Sequence, residues 1–179
     1  MRDYGSGKII LKKFYSALEE VLKMKIENFL EQHKDVLPKF EVVHENESVE
    51  EVLKHLREDK HYIIVIDRKG KMRGIITYID FMIMFGKKRT TALFAPFSSV
   101  TRSLKRAHMP LKTLAELKAS DIMNIAPPHV WNHSKVEDAL NNMSKTGNNF
   151  AVVIAKGEKV VGIITAHAIF RAIIRKAEL

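Results

Sequence analysis

Cysteine is absent from the 179-residue chain, which excludes disulfides and thiolate metal sites and makes a cytoplasmic home the default expectation. Long apolar runs are missing too, and nothing approaches the roughly 20 residues that span a bilayer. Met1-Arg2-Asp3-Tyr4-Gly5-Ser6-Gly7 lacks the apolar core and small-residue cleavage site of a secretion signal. In that setting the Asn-x-Ser matches at Asn46, Asn132 and Asn142 carry no meaning. Enzyme signatures are also wanting, with no Gly-x-Ser-x-Gly, no P-loop and no cysteine nucleophile. His129 and His133 lie four apart, but across a predicted strand and its following loop. They cannot share a helical face as zinc ligands do. No metal site and no catalytic chemistry are expected. A hydrophobic content of 46% nevertheless makes this globular material, long enough to bury a core as one or two small domains.

Acidic residues are the other shortage, and it is local. Residues 1–86 balance 15 basic against 15 acidic side chains, and residues 119–179 hold seven against five. Residues 87–118 carry Lys87, Lys88, Arg89, Arg102, Lys105, Arg106, Lys112 and Lys118 against Glu116 alone, seven of the net +9. A field of that kind attracts nucleotides, nucleic acid or acidic partner surfaces, or is simply a solvated linker.

What is present comes twice. Gly74-Ile75-Ile76-Thr77 returns as Gly162-Ile163-Ile164-Thr165, 88 positions later, with Val65-Ile66 against Val153-Ile154 at the same offset. Val49–Leu53 reads against Val136–Leu140 at 87, and Asp35-Val36-Leu37 against Asp121-Ile122-Met123 at 86. Single-residue drifts between elements are what short loop insertions leave, so the chain is an internal duplication.

The elements follow from periodicity. Leu11, Phe14, Tyr15, Leu18, Val21, Leu22, Ile26, Phe29 and Leu30 give residues 8–33 the pattern of one amphipathic helix outside the repeat. It is free to cover a sheet face or to pack on another protomer. In the first copy Phe40–Val43 is extended. Ser48 caps a helix with Glu51 closing a capping box, and Val49, Val52, Leu53 and Leu56 form its buried face. Tyr62–Ile66 and Met72–Thr77 are strands joined through the turn Arg68-Lys69-Gly70. A helix from Tyr78 ends at Gly86. The second copy repeats the order: strand Pro127–Trp131, helix Lys135–Ser144, strands Phe150–Ala155 and Lys159–Thr165, helix Ala166–Lys176. Between them, Leu93, Phe94, Phe97, Val100 and Leu104 need cover, and Leu111, Leu114 and Leu117 suggest a short helix. Near-continuous apolar strands imply a sheet covered by helices on one face and by further protein on the other. The fold class is α/β (α+β), two tandem β-α-β-β-α units packed about a pseudo-two-fold axis. Its parts are an N-terminal helix (1–33), repeat 1 (34–86), a basic insert (87–118) and repeat 2 (119–179). The cleft between the units is the natural ligand site.

Strand, helix, apolar strand, turn, Gly-Ile-Ile-Thr-x-x-Asp and a final helix, occurring in tandem with the Asp121-Ile122-Met123 lead and Val160–Thr165, resemble a pair of CBS domains, a Bateman module. The resemblance covers 34–86 and 119–179. It implies a free-standing regulatory module that binds an adenosine-containing ligand and signals through shape or association to an effector on another chain. Energy sensing and a homodimer are the corresponding expectations, with no cofactor beyond the regulatory nucleotide. On spacing alone Thr77 and Asp80 are a helix-capping pair. The resemblance makes Thr77 a ribose or phosphate contact and Asp80 the group that takes both ribose hydroxyls. It places His61 at a phosphate-contacting position and puts Val43 and Tyr78 beside them. In the second copy it implies Thr165, His167, Asn149 and Val130. There Ala168 stands where Asp80 stands, so the two sites should differ, the first being the better nucleoside site and a carboxylate at 168 the expected way to rebuild the second. Lys87, Lys88 and Arg89 favour a phosphorylated ligand (AMP, ADP or ATP) over a cationic one. The alternative is a nucleic-acid binder using residues 87–118, with Phe94 or Phe97 for stacking.

Overall fold

The structure is a computed structural model that describes residues 4–56, 60–85 and 115–179. The elements run α1 (Tyr4–Lys23), α2 (Ile26–Gln32), a 3-10 turn (Lys34–Val36), β1 (Lys39–His44), α3 (Val49–His55), β2 (Lys60–Ile66), β3 (Met72–Thr77) and α4 (Tyr78–Phe85). After the insert come α5 (Ala119–Ile122), β4 (His129–Trp131), α6 (Val136–Thr146), β5 (Phe150–Ala155), β6 (Lys159–Thr165) and α7 (Ala166–Lys176). Each copy makes one three-stranded sheet, β1-β2-β3 and β4-β5-β6, with the first pair parallel and the second antiparallel. The expected mixed fold of two tandem units stands. No described helix is long and apolar enough to cross a membrane.

Strand alternation sorts the side chains into layers. Ile63, Val65 and Ile76 face the helices of the first copy with Val49, Val52 and Phe81. Ala151, Val153 and Ile164 do the same in the second with Val136, Ala139 and Ile169. Residues one step out of phase point the other way, as a period of two requires. Ile64, Ile75, Phe150, Val152, Ile154 and Ile163 form a third cluster between the two sheets, flanked by Phe40, Tyr62, Ile66, Met72 and Val160. Tyr62, Ile64, Ile66, Met72 and Ile75 are the 88-residue counterparts of Phe150, Val152, Ile154, Val160 and Ile163. The pseudo-two-fold axis therefore passes through a layer in which each copy buries the same face.

The segments that lead into the repeats cross over. Leader 2 lies on repeat 1: Val49 N–H donates to Leu117 O (3.0 Å), Ala119 N–H to Glu47 O (2.8 Å) and Ser120 N–H to Glu45 O (3.0 Å). Leader 1 lies on repeat 2: Val136 N–H donates to Met24 O (3.0 Å), Ile26 N–H to Ser134 O (2.8 Å) and Glu27 N–H to Asn132 O (2.8 Å). The isolated bridges Ser48–Lys118 and Lys25–Lys135 complete the match. By this pattern Lys118–Met123 corresponds to Lys25–Leu30, two helical turns earlier than the Asp35–Leu37 echo in the sequence.

That crossing corrects the N-terminal expectation. The single helix over 8–33 is broken at Met24–Lys25, where Lys25 is extended (φ −67°, ψ 142°) and α2 begins again. Backbone groups freed by the break bond to repeat 2, and Ala17, Val21, Ile26 and Phe29 join one core on both sides of it. The apolar period continues because both helices serve the same face. The helix thus covers repeat 2 of its own chain. Leu53 also departs from expectation, being 43% exposed on α3. Ser48 caps α3 as expected, its Oγ accepting from Glu51 N–H at 3.2 Å. Gly86, Phe94, Phe97, Leu111 and Leu114 lie outside the described residues.

The repeated glycine is explained by the crossing. A Cβ on Gly74 would stand 2.5 Å from Asn124 O and 2.9 Å from Met123 Sδ, because Ile75 and Asn124 exchange hydrogen bonds of 3.0 and 2.8 Å there. A Cβ on Gly162 would meet Leu30 Cδ1 at 3.0 Å, a side chain able to give way. Gly74→Ala is expected to cost about 1–3 kcal/mol through backbone displacement, and Gly162→Ala clearly less. Urea melts of the two variants check the ranking; equal costs would contradict it.

Candidate functional site

Thr77 closes β3 opposite Tyr62 and lies in phase with Ile75, on the face between the sheets. It is the one polar residue buried among those described, at 8% exposure. Asp80, one turn into α4, turns back onto it. A single carboxylate oxygen, Oδ2, accepts from Thr77 N–H at 2.7 Å and from Thr77 Oγ1 at 2.8 Å. Burial pushes the Asp80 carboxyl above the ordinary aspartate range, and the Thr77 hydrogen bonds oppose the shift without cancelling it. Beside this pair the exposed His61 ring meets the Tyr78 ring edge-on, 6.2 Å between centroids at 77°. Tyr62 packs on Phe150 of the other copy (5.2 Å), and burial pushes its phenol to about 12. The first copy thus brings Thr77 and Asp80 together at the start of α4, with His61 and Tyr78 in contact with each other.

In the second copy Thr165 lies opposite Phe150, but its hydroxyl plays the other part. Oγ1 accepts from Ala168 N–H at 3.0 Å, an ordinary N-cap. His167 and Asn149 are exposed, and Asn149 O accepts from Ala166 N–H at 2.9 Å. Ala168 is fully buried in the repeat 2 core, so the position holds no open space awaiting a carboxylate. Val43 and Val130 are buried in the helix-side cores of their copies, facing away from the layer between the sheets. Lys87, Lys88 and Arg89 lie outside the described residues.

The sequence reading missed the leaders' part. A cavity of about 450 Å³ lies where leader 1 meets β6, lined by Leu30, Leu37, Phe40 and Ile163 and rimmed by Glu31 and Lys34. The signal was the glycine of the repeat, since an interior strand glycine marks a close approach. Among the described residues no cluster of His, Asp and Glu could hold a metal ion.

Two expectations follow from burial. The folded state holds the Asp80 proton more tightly than the unfolded chain, so Asp80 costs stability as pH rises through its raised pKa and costs nothing well below the unfolded value. Asp80→Asn should therefore match or exceed the parent in stability at pH 7, with the advantage fading in acid; chemical melts across pH measure it. Ala168→Asp places a carboxyl in an apolar enclosure and should lose about 1–3 kcal/mol, contrary to its expected use in rebuilding the second site.

Residues 34–85 and 119–175 match the family model of the CBS domain. No curated protein matches the chain. Among solved structures, the CBS domain of a CBS-domain-containing membrane protein from Sphaerobacter thermophilus is similar at 17% identity, covering 88% of this chain and 93% of that one with a TM-score of 0.61. A CBS-pair protein of Arabidopsis thaliana is similar at 20% identity, covering 82% and 96% with a TM-score of 0.58. The cytosolic domain of the Mg2+ channel MgtE in complex with ATP is similar at 21% identity, covering 75% of this chain and 45% of that one with a TM-score of 0.52. Two matched segments, two sheets packed on like faces and crossed leaders agree: the chain belongs to the CBS-domain family, as a tandem pair.

Proposed function

We infer that the protein is a regulatory module that binds an adenine nucleotide in the cleft of its first repeat. It is no enzyme on this reading: it responds in shape or association, as a homodimer acting on an effector elsewhere. The observation that carries the reading is Asp80. Its carboxylate is drawn against Thr77 at the mouth of the inter-sheet layer, although the second copy caps the same helix with Thr165 alone. A carboxylate that helix capping does not require is free to serve a ligand's vicinal hydroxyls. Tyr78, next to Thr77 in the chain, and His61, in ring contact with Tyr78, offer an aromatic face and an imidazole to such a ligand. The MgtE domain in complex with ATP shares the fold and supports a nucleotide as the ligand class. Ala168 argues that the second cleft lacks the same grip.

Adenine nucleotides should raise the melting temperature more than guanine nucleotides do. A ligand specific for the native state stabilises by about 2.7 kcal/mol at a hundredfold excess over its dissociation constant. Asp80→Ala removes charge-assisted hydrogen bonds worth roughly 1.5–3 kcal/mol, about tenfold to more than a hundredfold in affinity. Titration calorimetry at equal folded concentration, with 2′-deoxy ligands alongside, reads the loss. Unchanged affinity in Asp80→Ala would remove the site assignment, and no thermal shift with any adenine nucleotide at millimolar concentration would remove the reading.

A further inference from the structure

α1 carries two apolar faces; the body of the protein covers one and reaches the edge of the other. Ala17 and Val21 are buried against repeat 2. Two ion pairs fix the rotation of the helix against α7 and the residues after it: Lys13 with Glu178 at 3.5 Å, and Glu20 with Lys176 at 2.8 Å. With that side turned inward, Leu11, Tyr15, Leu18 and Leu22 form a stripe on the outer flank. Their spacing of 4, 3 and 4 is that of a heptad seam. Leu11 is 57% and Tyr15 61% exposed, while Leu18 and Leu22 are half-buried against the edge of the repeat 2 core and present their remaining surface.

The charges beside the stripe select an occupant. Lys12 and Glu19 are both exposed, seven residues apart, and therefore take the same heptad position on the same side of the seam. When two such helices run antiparallel, like flanks face each other, so Lys12 of one copy meets Glu19 of the other, and the two-fold axis repeats the contact. In a parallel pair that flank would face the side that carries Val21, which is fully buried in the protein's own core. Glu19 now pairs with Lys23 at 3.2 Å with both side chains largely exposed, a contact weak enough to exchange. We propose that α1 binds α1 of a second copy of this chain, antiparallel, through Leu11, Tyr15, Leu18 and Leu22, with Lys12–Glu19 pairs fixing the direction. The inference deepens the association half of the proposed function and is independent of which nucleotide binds.

Sedimentation velocity on the full chain tests it. The parent should be a dimer at roughly 50 μM, and Leu11→Glu and Tyr15→Glu should each weaken dimerisation by about tenfold or more. Both positions are exposed, so far-UV circular dichroism and melting should remain as in the parent. Lys12→Glu and Glu19→Lys should each weaken the dimer, and the double variant should restore it. A parent monomeric at that concentration overturns the proposal. So does a dimer indifferent to Tyr15→Glu, or a double variant no better than the singles. Adenine-nucleotide binding, measured on the same samples, separates the two readings: a monomer that still binds leaves the nucleotide site standing and removes the seam alone.

Discussion

Everything in this fold depends on the crossing of the two leaders. Neither repeat completes its own helical layer: α5 reaches repeat 1 from the far side of the insert, and α2 reaches repeat 2 from before repeat 1. Backbone hydrogen bonds at these crossings join segments distant in sequence, and six of them satisfy helix-terminal N–H groups that would otherwise be orphaned. Such contacts hold the copies at one separation, which the sheet-to-sheet layer of Ile64, Ile75, Val152 and Ile163 then fills. Where the crossing touches a strand, the strand carries glycine: Gly74 against the backbone of Asn124 and Gly162 against the Leu30 side chain.

Against this symmetric frame the two copies differ in the side chains around the repeated threonine, above all in Asp80 against Ala168. Threonine starts the last helix in both copies, and its hydroxyl accepts from the backbone in one and donates to a carboxylate in the other. The second copy acts as an internal control, showing that a helix start here is stable without an aspartate. Asp80 is held at a raised pKa, so its ionised form costs stability at neutral pH. Groups strained in this way concentrate where a site needs them.

Much of this was legible in the sequence because duplication exposes itself twice. The strands, the hairpins and the Thr77–Asp80 pair could be read from local pattern and from the offset of 88. The leaders could not. Apolar spacing reports which side of a segment is buried but not what buries it, so the break at Lys25 was invisible while the period ran through it. Leu53 looked like core by period alone, yet it is 43% exposed. The resemblance put Val43 and Val130 beside the site, but strand alternation sends them to the opposite face from Thr77.

The crossing also decides how the parts can communicate. Leader 2 lies against Gly74 and Ile75 on β3, two residues before Thr77, and is continuous with the basic insert. Leader 1 lies against Gly162 on β6, and the short Met24–Lys25 break joins it to α1. A ligand seated at Thr77 and Asp80 therefore presses first on the strand that carries the leader of the other copy. Strain there has two outlets, the sheet-to-sheet layer through Tyr62 and Phe150 and the insert through Lys118. The first route reaches repeat 2 and, through its core, α1. Packed interiors transmit such displacements because they lack the voids to absorb them, so on the proposed reading a nucleotide in the first cleft would act on the two parts that the repeats do not contain, α1 and the insert.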